Sequence, residues 1–158
     1  MTKILVVDDR EEYRNLVSNC FLSYFRNNGL EVDVAMNVNE GLEYFTKKGP
    51  YALISSDCKM PGFDNEMSGE AGLEMISRIK DVQYQKFGNN VELYVPIIFV
   101  TGSSISREKI DYPDIQVLGV IEKFKDLKKH ERETFWKIYK LIVDSGLESA
   151  IDEYEFAN

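Results

Sequence analysis

Short apolar runs alternate along the chain with segments in which apolar residues recur every three or four positions. Runs rich in β-branched residues are typical of buried strands, and the longer spacing is typical of helices that pack one face on a core. Regular alternation of the two predicts successive β-α units around a parallel sheet. We therefore predict an α/β fold with five strands at Lys3–Val7, Glu31–Ala35, 51–56, 96–100 and Val117–Glu122.

Helical spacing marks four segments between or after these strands. Asn37 or Asn39 can cap the second of them. Between the last two strands, Pro113 limits any helix to a short piece near 106–110. The apolar positions are Tyr13, Leu16, Val17, Cys20, Phe21, Tyr24 and Phe25 in the first segment, which stops at 27–29; Leu42 and Phe45 in the second, which ends near 49–50; Leu73, Met75, Ile76 and Ile79 in the third, at 72–80; and Phe135, Ile138 and Ile142 in the last, Leu127–Asp144, which stops at Gly146.

Three stretches do not follow the simple β-α pattern. Met60, Pro61 and Gly62 are predicted to form a turn. The polar stretch 65–71 follows the third strand and could form a rim or lid over a site there. The stretch 81–94 contains several aromatic residues, and it either lengthens the third helix and its connection or forms a docking surface; most loop insertions are merely tolerated.

Residues able to handle a phosphoryl group follow four of the strands. Asp8 and Asp9 come after the first, Asp57 after the third, Thr101 after the fourth and Lys123 after the fifth. Because parallel strands end on a common edge, these residues are predicted to converge in one crevice. Crowded carboxylates repel one another unless a positive charge lies among them, which favours a magnesium-type cation. Each residue alone also has a structural interpretation, such as capping the next helix.

Composition and charge limit the class of protein. A chain of 158 residues is long enough for one domain with a core. The formal charge of −8 makes nucleic acid an unfavourable partner, and no apolar run approaches membrane-spanning length. Cys20 and Cys58 have neither a disulfide nor a metal spacing, and the lone His130 is interpreted as a surface residue. Without a signal-type leader, the protein is predicted to be cytoplasmic.

Together these residues resemble a receiver domain of a two-component response regulator, of the stand-alone type that acts in chemotaxis. The similarity spans residues 3–144 and rests on the acidic pair, Asp57, the Met60–Pro61 motif with Gly62, Thr101 and Lys123, each near a strand end. The segment from Gly72 to Met75 also resembles the start of the family's third helix. The resemblance implies a doubly wound sheet in flavodoxin-like order 2-1-3-4-5, with helices on both faces.

The resemblance also implies a role for each site residue. Asp57 would accept a phosphoryl group from a histidine kinase or a phosphotransfer protein. Mg²⁺, which Mn²⁺ could replace, would be held by Asp8, Asp9, Asp57 and the backbone carbonyl of Lys59. Thr101 and Lys123 would bind the phosphoryl oxygens and so switch a protein-binding surface. Such a receiver is no enzyme beyond catalysing its own phosphorylation and dephosphorylation, and its downstream protein is not indicated.

The chain departs from the family pattern near Lys123. Receivers usually have a cis proline directly after this lysine, but the residue here is Phe124, for which a cis bond is costly. Three positions before the lysine, where receivers usually have an aromatic residue, this chain has Val120. Lys59, two residues after Asp57, could shield an acyl phosphate from water. The switch is therefore expected to differ from the usual one.

The C-terminal part offers a possible output surface. On the last helix, Trp136, Tyr139, Lys140 and Val143 form a second apolar face with aromatic content. We predict a receiver domain over 1–146 and a short acidic tail over 147–158, with no separate output domain. The tail could pack on the domain or reach another molecule.

Two functions from different classes remain open at this point. The first is a phosphorylatable receiver, and the second is a receiver-like interaction module that signals without phosphorylation. A haloacid-type phosphatase would need an aspartate where Lys59 stands, and a flavin site would be repelled by Asp8 and Asp9. These last two functions are excluded.

Overall fold

The computed structural model describes residues 2–25, 29–102 and 116–146. Three predictions lie outside the described residues: the helix stop at 27–28, the short helix near 106–110 with Pro113, and the tail at 147–158. They stay predictions, as do the domain limits proposed from the sequence.

The strands of the described residues form one large sheet and one small one. They are β1 (Lys3–Val7), β2 (Glu31–Ala35), β3 (Leu53–Ser56), β4 (Met60–Pro61), β5 (Met67–Ser68), β6 (Ile97–Thr101) and β7 (Val117–Glu122). The large sheet has five strands in the order β2-β1-β3-β6-β7, and every pair in it is parallel. In terms of the five predicted strands this is 2-1-3-4-5, so the predicted fold class and order are confirmed.

Helices cover both faces of this sheet, as predicted. In the described part of the chain they are α1 (Glu11–Tyr24), α2 (Val38–Lys48), α3 (Ala71–Phe87) and α4 (Leu127–Asp144). On one face α1 packs beside α4, and on the other α2 packs beside α3. Alternate residues of each inner strand enter opposite cores: Ile4 and Val6 lie in the α1–α4 core, whereas Leu5 and Val7 lie in the α2–α3 core. Burial on both faces explains why these strands read as continuous apolar runs.

Helix ends follow from local chemistry. The Asn37 side chain accepts a hydrogen bond from the Glu40 amide, so Asn37 is the residue that caps α2. α3 continues to Phe87 and stops at Gly88, whose φ of 58° suits a residue without a Cβ. A single 3-10 turn, Val91–Leu93, then leads to β6. The stretch 81–94 is therefore a lengthened helix and connection, in agreement with the simpler of the two interpretations.

The segment after Asp57 differs from the prediction. Met60 and Pro61 do not lie in a turn but form β4, which pairs antiparallel with β5. The turn lies further on, where the Gly62 amide donates to the Glu66 carbonyl at 2.7 Å and Asn65 takes a φ of 66°. A two-residue strand is too short to show a period of two in the sequence, which is why this hairpin was not predicted.

The hairpin packs on the neighbouring helices. The Asn39 side chain donates to the Phe63 carbonyl at 3.4 Å, and the Arg78 guanidinium lies 3.7 Å from the centre of the Phe63 ring. The polar stretch 65–71 follows Phe63, contributes β5 to the hairpin and ends at the start of α3. In the described ranges, none of the helices has the length and apolar character needed to cross a bilayer.

Candidate functional site

The register of the sheet brings the predicted site residues to one edge. Val7 pairs with Ser56, so Asp8 and Asp57 leave adjacent strands side by side, and the Asp57 amide donates to the Val7 carbonyl at 3.0 Å. Strand β6 pairs with β7, and its last residue, Thr101, lies opposite Glu122. The Lys123 amide then donates to the Thr101 carbonyl at 2.8 Å. The convergence predicted from strand ends is therefore present in the structure.

The Asp57 carboxylate is buried and held from two sides. One oxygen, Oδ1, accepts a hydrogen bond from the Cys58 amide at 2.7 Å. The other, Oδ2, accepts one from the Lys123 ammonium at 2.7 Å. Both contacts are to a charged acceptor, which makes them stronger than neutral hydrogen bonds. The carboxylate therefore has a fixed orientation.

Asp8 shares the Lys123 ammonium with Asp57. Its Oδ2 lies 2.6 Å from the Lys123 Nζ, and its Oδ1 accepts a hydrogen bond from the Arg10 amide at the start of α1. The second contact is a local turn two residues long that leads into α1, and it is not an N-cap, because the N-cap residue is Arg10. Burial raises the pKa of Asp8 to about 6, and the nearby Asp57 charge adds to the shift, although Lys123 opposes it. Asp8 thus has both a structural and an electrostatic role.

Asp9 completes a cluster of acidic groups. One carboxylate oxygen from each of Asp8, Asp9 and Asp57 lies within 4.8 Å of the others. Carboxylate oxygens are the ligands that hard divalent cations prefer. A cluster of this size and chemistry could hold a metal ion, with Lys123 supplying a further positive charge at its edge.

Thr101 lies in the same crevice, but its hydroxyl is engaged elsewhere. The residue is buried at the end of β6, and its side chain is hydrogen-bonded to Cys58. Burial raises the pKa of the Cys58 thiol to about 12, and the Thr101 contact opposes that shift. Cys58 is therefore protonated at neutral pH and helps to hold Thr101, a role that its size and spacing did not indicate.

Two basic residues that are close in sequence to the cluster lie nearer the surface. The Lys59 side chain is exposed, and the ligand role predicted for its backbone carbonyl stays a prediction. The Arg10 guanidinium forms an ion pair with Glu12. Lys123 is thus the cation that contacts Asp8 and Asp57 in the described part of the chain.

The backbone around Lys123 agrees with the departure noted in the sequence. Among the described residues the one cis peptide bond is Gly49–Pro50, so the Lys123–Phe124 bond is trans, as expected. Lys123 nevertheless reaches both carboxylates. Val120, at the position where an aromatic residue was expected by resemblance, is 46% exposed. His130 stacks on the Phe124 ring with 4.2 Å between ring centres.

Two residues at the site were not predicted from the sequence. Tyr13 was assigned only to the core, yet its hydroxyl donates to the Phe124 carbonyl at 3.0 Å. Gly72, in the first turn of α3, lies so close to Asp57 that an added methyl group would overlap the Asp57 carbonyl oxygen. A glycine in a helix is unfavourable unless close packing requires it. The glycine at position 72 of a predicted helix was therefore a sequence signal of close packing.

Comparison with known proteins identifies the family. A family model described as the response regulator receiver domain matches residues 4–131. The chain belongs to the response regulator receiver family. In this receiver, the acidic cluster and Lys123 have the arrangement expected of a phosphorelay protein. No curated protein matches the sequence significantly.

Solved structures of other receivers share the fold. The chemotaxis response regulator CheY4 of Vibrio cholerae is 23% identical, with a TM-score of 0.56 over 87% of this chain and 98% of that one. The N-terminal domain of a response regulator/sensory box/GGDEF 3-domain protein from Carboxydothermus hydrogenoformans is 18% identical, with a TM-score of 0.62 over 99% and 98%. A receiver domain protein from Clostridium thermocellum is 16% identical, with a TM-score of 0.57 over the whole of both chains.

Proposed function

We propose that this receiver accepts a phosphoryl group at Asp57 from a histidine kinase or a histidine phosphotransfer protein. The observation that carries the proposal is the bridge that Lys123 makes between Asp8 and Asp57 at the edge of the sheet. A carboxylate with a fixed orientation is suited to in-line attack, because phosphoryl transfer depends mainly on placement and on neutralising charge.

The proposed reaction uses residues already in place. An oxygen of Asp57 forms a bond to phosphorus as the bond from phosphorus to the donor imidazole breaks, which leaves an acyl phosphate on Asp57. The Lys123 ammonium, now 2.7 Å from Asp57, would pair with a phosphoryl oxygen. The Thr101 hydroxyl would exchange its contact with Cys58 for a second phosphoryl oxygen.

The acidic cluster would hold the metal ion of this reaction. Asp8, Asp9 and Asp57 supply carboxylate oxygens, and the Lys59 carbonyl is proposed as a further ligand. Mg²⁺ is the expected ion and Mn²⁺ could replace it; when bound, it would neutralise charge on the phosphoryl oxygens. The charges of Asp8 and Asp57 would then be neutralised by the metal ion as well as by Lys123.

The proposed output is a change in protein binding. Movement of Thr101 and Lys123 toward a phosphoryl group would bias a protein-binding surface between two arrangements. We propose that the receiver catalyses only its own phosphorylation and dephosphorylation, acts in the cytoplasm and signals by contact with a downstream protein.

Mass spectrometry of the intact protein tests the proposal. After incubation with a small acyl-phosphate donor and Mg²⁺, the parent protein is expected to gain one phosphoryl group. Asp57→Asn should gain none. Asp64→Asn, which alters an aspartate of the β4–β5 hairpin outside the cluster, serves as the matched control and should gain one. An adduct that persists in Asp57→Asn would exclude Asp57 as the acceptor.

One observation favours a second function, an interaction module that works without phosphorylation. Position 120, where receivers usually have the aromatic residue of the switch, is an exposed valine, and Phe124 stands where the usual proline follows Lys123. The same experiment distinguishes the two functions. If no donor, with or without Mg²⁺, gives an adduct on folded protein, the interaction module becomes the better account.

A further inference from the structure

Tyr13 lies beside the acidic cluster and has no role in the reaction proposed above. It is fully buried on α1, and its ring centre is 4.3 Å from the Lys123 ammonium. Its hydroxyl donates to the Phe124 carbonyl at 3.0 Å. One side chain thus contacts both the charged end of Lys123 and the backbone of the residue that follows it.

The ring contact limits where the ammonium can point. The Lys123 side chain is only 5% exposed, and its Nζ contacts Asp8, Asp57 and the face of the Tyr13 ring. An ammonium is attracted to an aromatic face, and the attraction is stronger where water is excluded. The ring therefore offers a favourable surface to the side of the ammonium that neither carboxylate contacts.

The hydroxyl contact holds the backbone of the same loop. The Lys123 amide is already bound to the Thr101 carbonyl at 2.8 Å. The bond from Tyr13 to the Phe124 carbonyl holds the peptide between Phe124 and Lys125, so the backbone is held both before and after Lys123. Burial raises the pKa of the Tyr13 hydroxyl, although Lys123 opposes the shift, so the group remains a donor at neutral pH.

We infer that Tyr13 is a positioning residue that aims the Lys123 ammonium at Asp57, with its ring holding the ammonium and its hydroxyl holding the Phe124 peptide. The consequence for phosphoryl transfer rests on the function proposed above. The placement of Lys123 by Tyr13 does not rest on that function, so the placement and its consequence for phosphoryl transfer can be tested separately.

Three variants separate positioning from general stability. Tyr13→Phe removes only the hydroxyl, and Tyr13→Leu removes the ring as well. Phe21→Leu is the matched control, because Phe21 is a fully buried aromatic residue of the same helix that packs in the same core. Circular dichroism of each variant establishes that it is folded before it is compared with the parent.

Nuclear magnetic resonance of lysine side chains in metal-free, unphosphorylated protein measures the placement of Lys123. The parent should show an exchange-protected ammonium signal that disappears in Lys123→Ala. The signal should be lost in Tyr13→Leu and kept in Tyr13→Phe and Phe21→Leu. Its persistence in Tyr13→Leu, or its absence from the parent, would overturn the inference whether or not the protein is ever phosphorylated.

The rate of phosphorylation by a small acyl-phosphate donor measures the consequence. We expect a loss on the order of tenfold in Tyr13→Leu, below the roughly hundredfold that misplacement of a group by 1 Å can cost. Loss of one hydrogen bond in Tyr13→Phe should slow the reaction about threefold. In the Lys123→Ala background, Tyr13→Leu should slow it no further, because Tyr13 acts through Lys123. Equal losses in both backgrounds would indicate a structural role and overturn the inference.

If Tyr13→Leu does not fold, comparison of Tyr13→Phe with the parent tests the inference. A rate equal to that of the parent, together with unchanged amide signals for Phe124 and Lys125, would overturn the inference. A slower rate with shifted amide signals would support it. An unphosphorylated parent would count against the proposed function, and the ammonium signal would still decide the role of Tyr13.

Discussion

Lys123 of the candidate site and the exposed apolar residues of β7 and α4 are close in sequence but lie in opposite surroundings. Lys123 is 5% exposed and contacts two buried carboxylates. Val120, three residues earlier, is 46% exposed, and Trp136 is 59% exposed. The cluster depends on charges that satisfy one another in a fixed geometry. The exposed residues are largely open to solvent, so substitutions there should disturb the fold less than substitutions in the cluster.

Removal of Lys123 should have the largest effect. In metal-free protein, Lys123→Ala leaves the buried Asp8 and Asp57 without their shared cation, and loss of one partner from a buried ion pair costs about 3–5 kcal/mol. Urea unfolding in the presence of a chelator measures this loss. The exposed Lys125 provides the control, Lys125→Ala, which should change the free energy of unfolding by less than about 0.5 kcal/mol. Equal effects would show that the cluster does not depend on Lys123.

A methyl group at Gly72 should have the next largest effect. Gly72→Ala places a Cβ against the Asp57 carbonyl, and because the contact is with backbone, the start of α3 or the end of β3 must shift. We expect a loss of about 3 kcal/mol in the free energy of unfolding. Gly69→Ala is the matched control, because a Cβ there meets nothing within 4 Å. If both variants are equally stable, the close approach is not maintained in solution.

Asp8 should make stability depend on pH in metal-free protein. Its pKa is raised to about 6 in the folded state, from an ordinary 3.8, so the folded protein holds this proton more tightly than the unfolded chain does. The contribution of Asp8 to the free energy of unfolding therefore falls as pH rises from about 4 to about 6.

Comparison with Asp8→Asn isolates this contribution. The free energy of unfolding of the variant, minus that of the parent, should increase by about 2 kcal/mol between about pH 4 and about pH 6 and then level off. Urea titrations at a series of pH values measure the difference. A flat difference across this range would show that the Asp8 carboxyl is not desolvated.

The exposed apolar residues should tolerate change best. Trp136→Ala is expected to alter the free energy of unfolding by less than about 0.5 kcal/mol and to leave phosphorylation unchanged. Ile138→Ala, on the buried side of the same helix, should instead cost about 2–4 kcal/mol. A large loss of stability in Trp136→Ala would mean that its ring is covered in solution.

Much of the fold could be predicted from the sequence because each strand and helix leaves a local pattern of apolar residues. Inner strand β1 is a continuous apolar run, edge strand β2 alternates, and these two strands and β7 have the predicted bounds. The meeting of Asp8, Asp57 and Lys123 followed from the same pattern, because ends of parallel strands share one edge. These predictions needed only the period of the apolar residues and the topology of the sheet.

Contacts between distant residues could not be predicted in this way. Tyr13 and Phe124 are 111 positions apart, and the helical spacing of Tyr13 indicated only that it enters the core. The hydrogen bond between Thr101 and Cys58 likewise depends on the packing of β3 against β6. Such contacts arise from tertiary packing, and a periodic pattern in one segment contains no information about them.

Trapping of the phosphorylated residue tests the central claim most directly. Borohydride reduction of protein treated with an acyl-phosphate donor and Mg²⁺ converts an aspartyl phosphate to homoserine, which peptide mass spectrometry can locate. We predict homoserine at position 57, dependent on Mg²⁺, with none at Asp8 or Asp9. Homoserine at Asp8 or Asp9, or its absence from folded protein, would contradict the account.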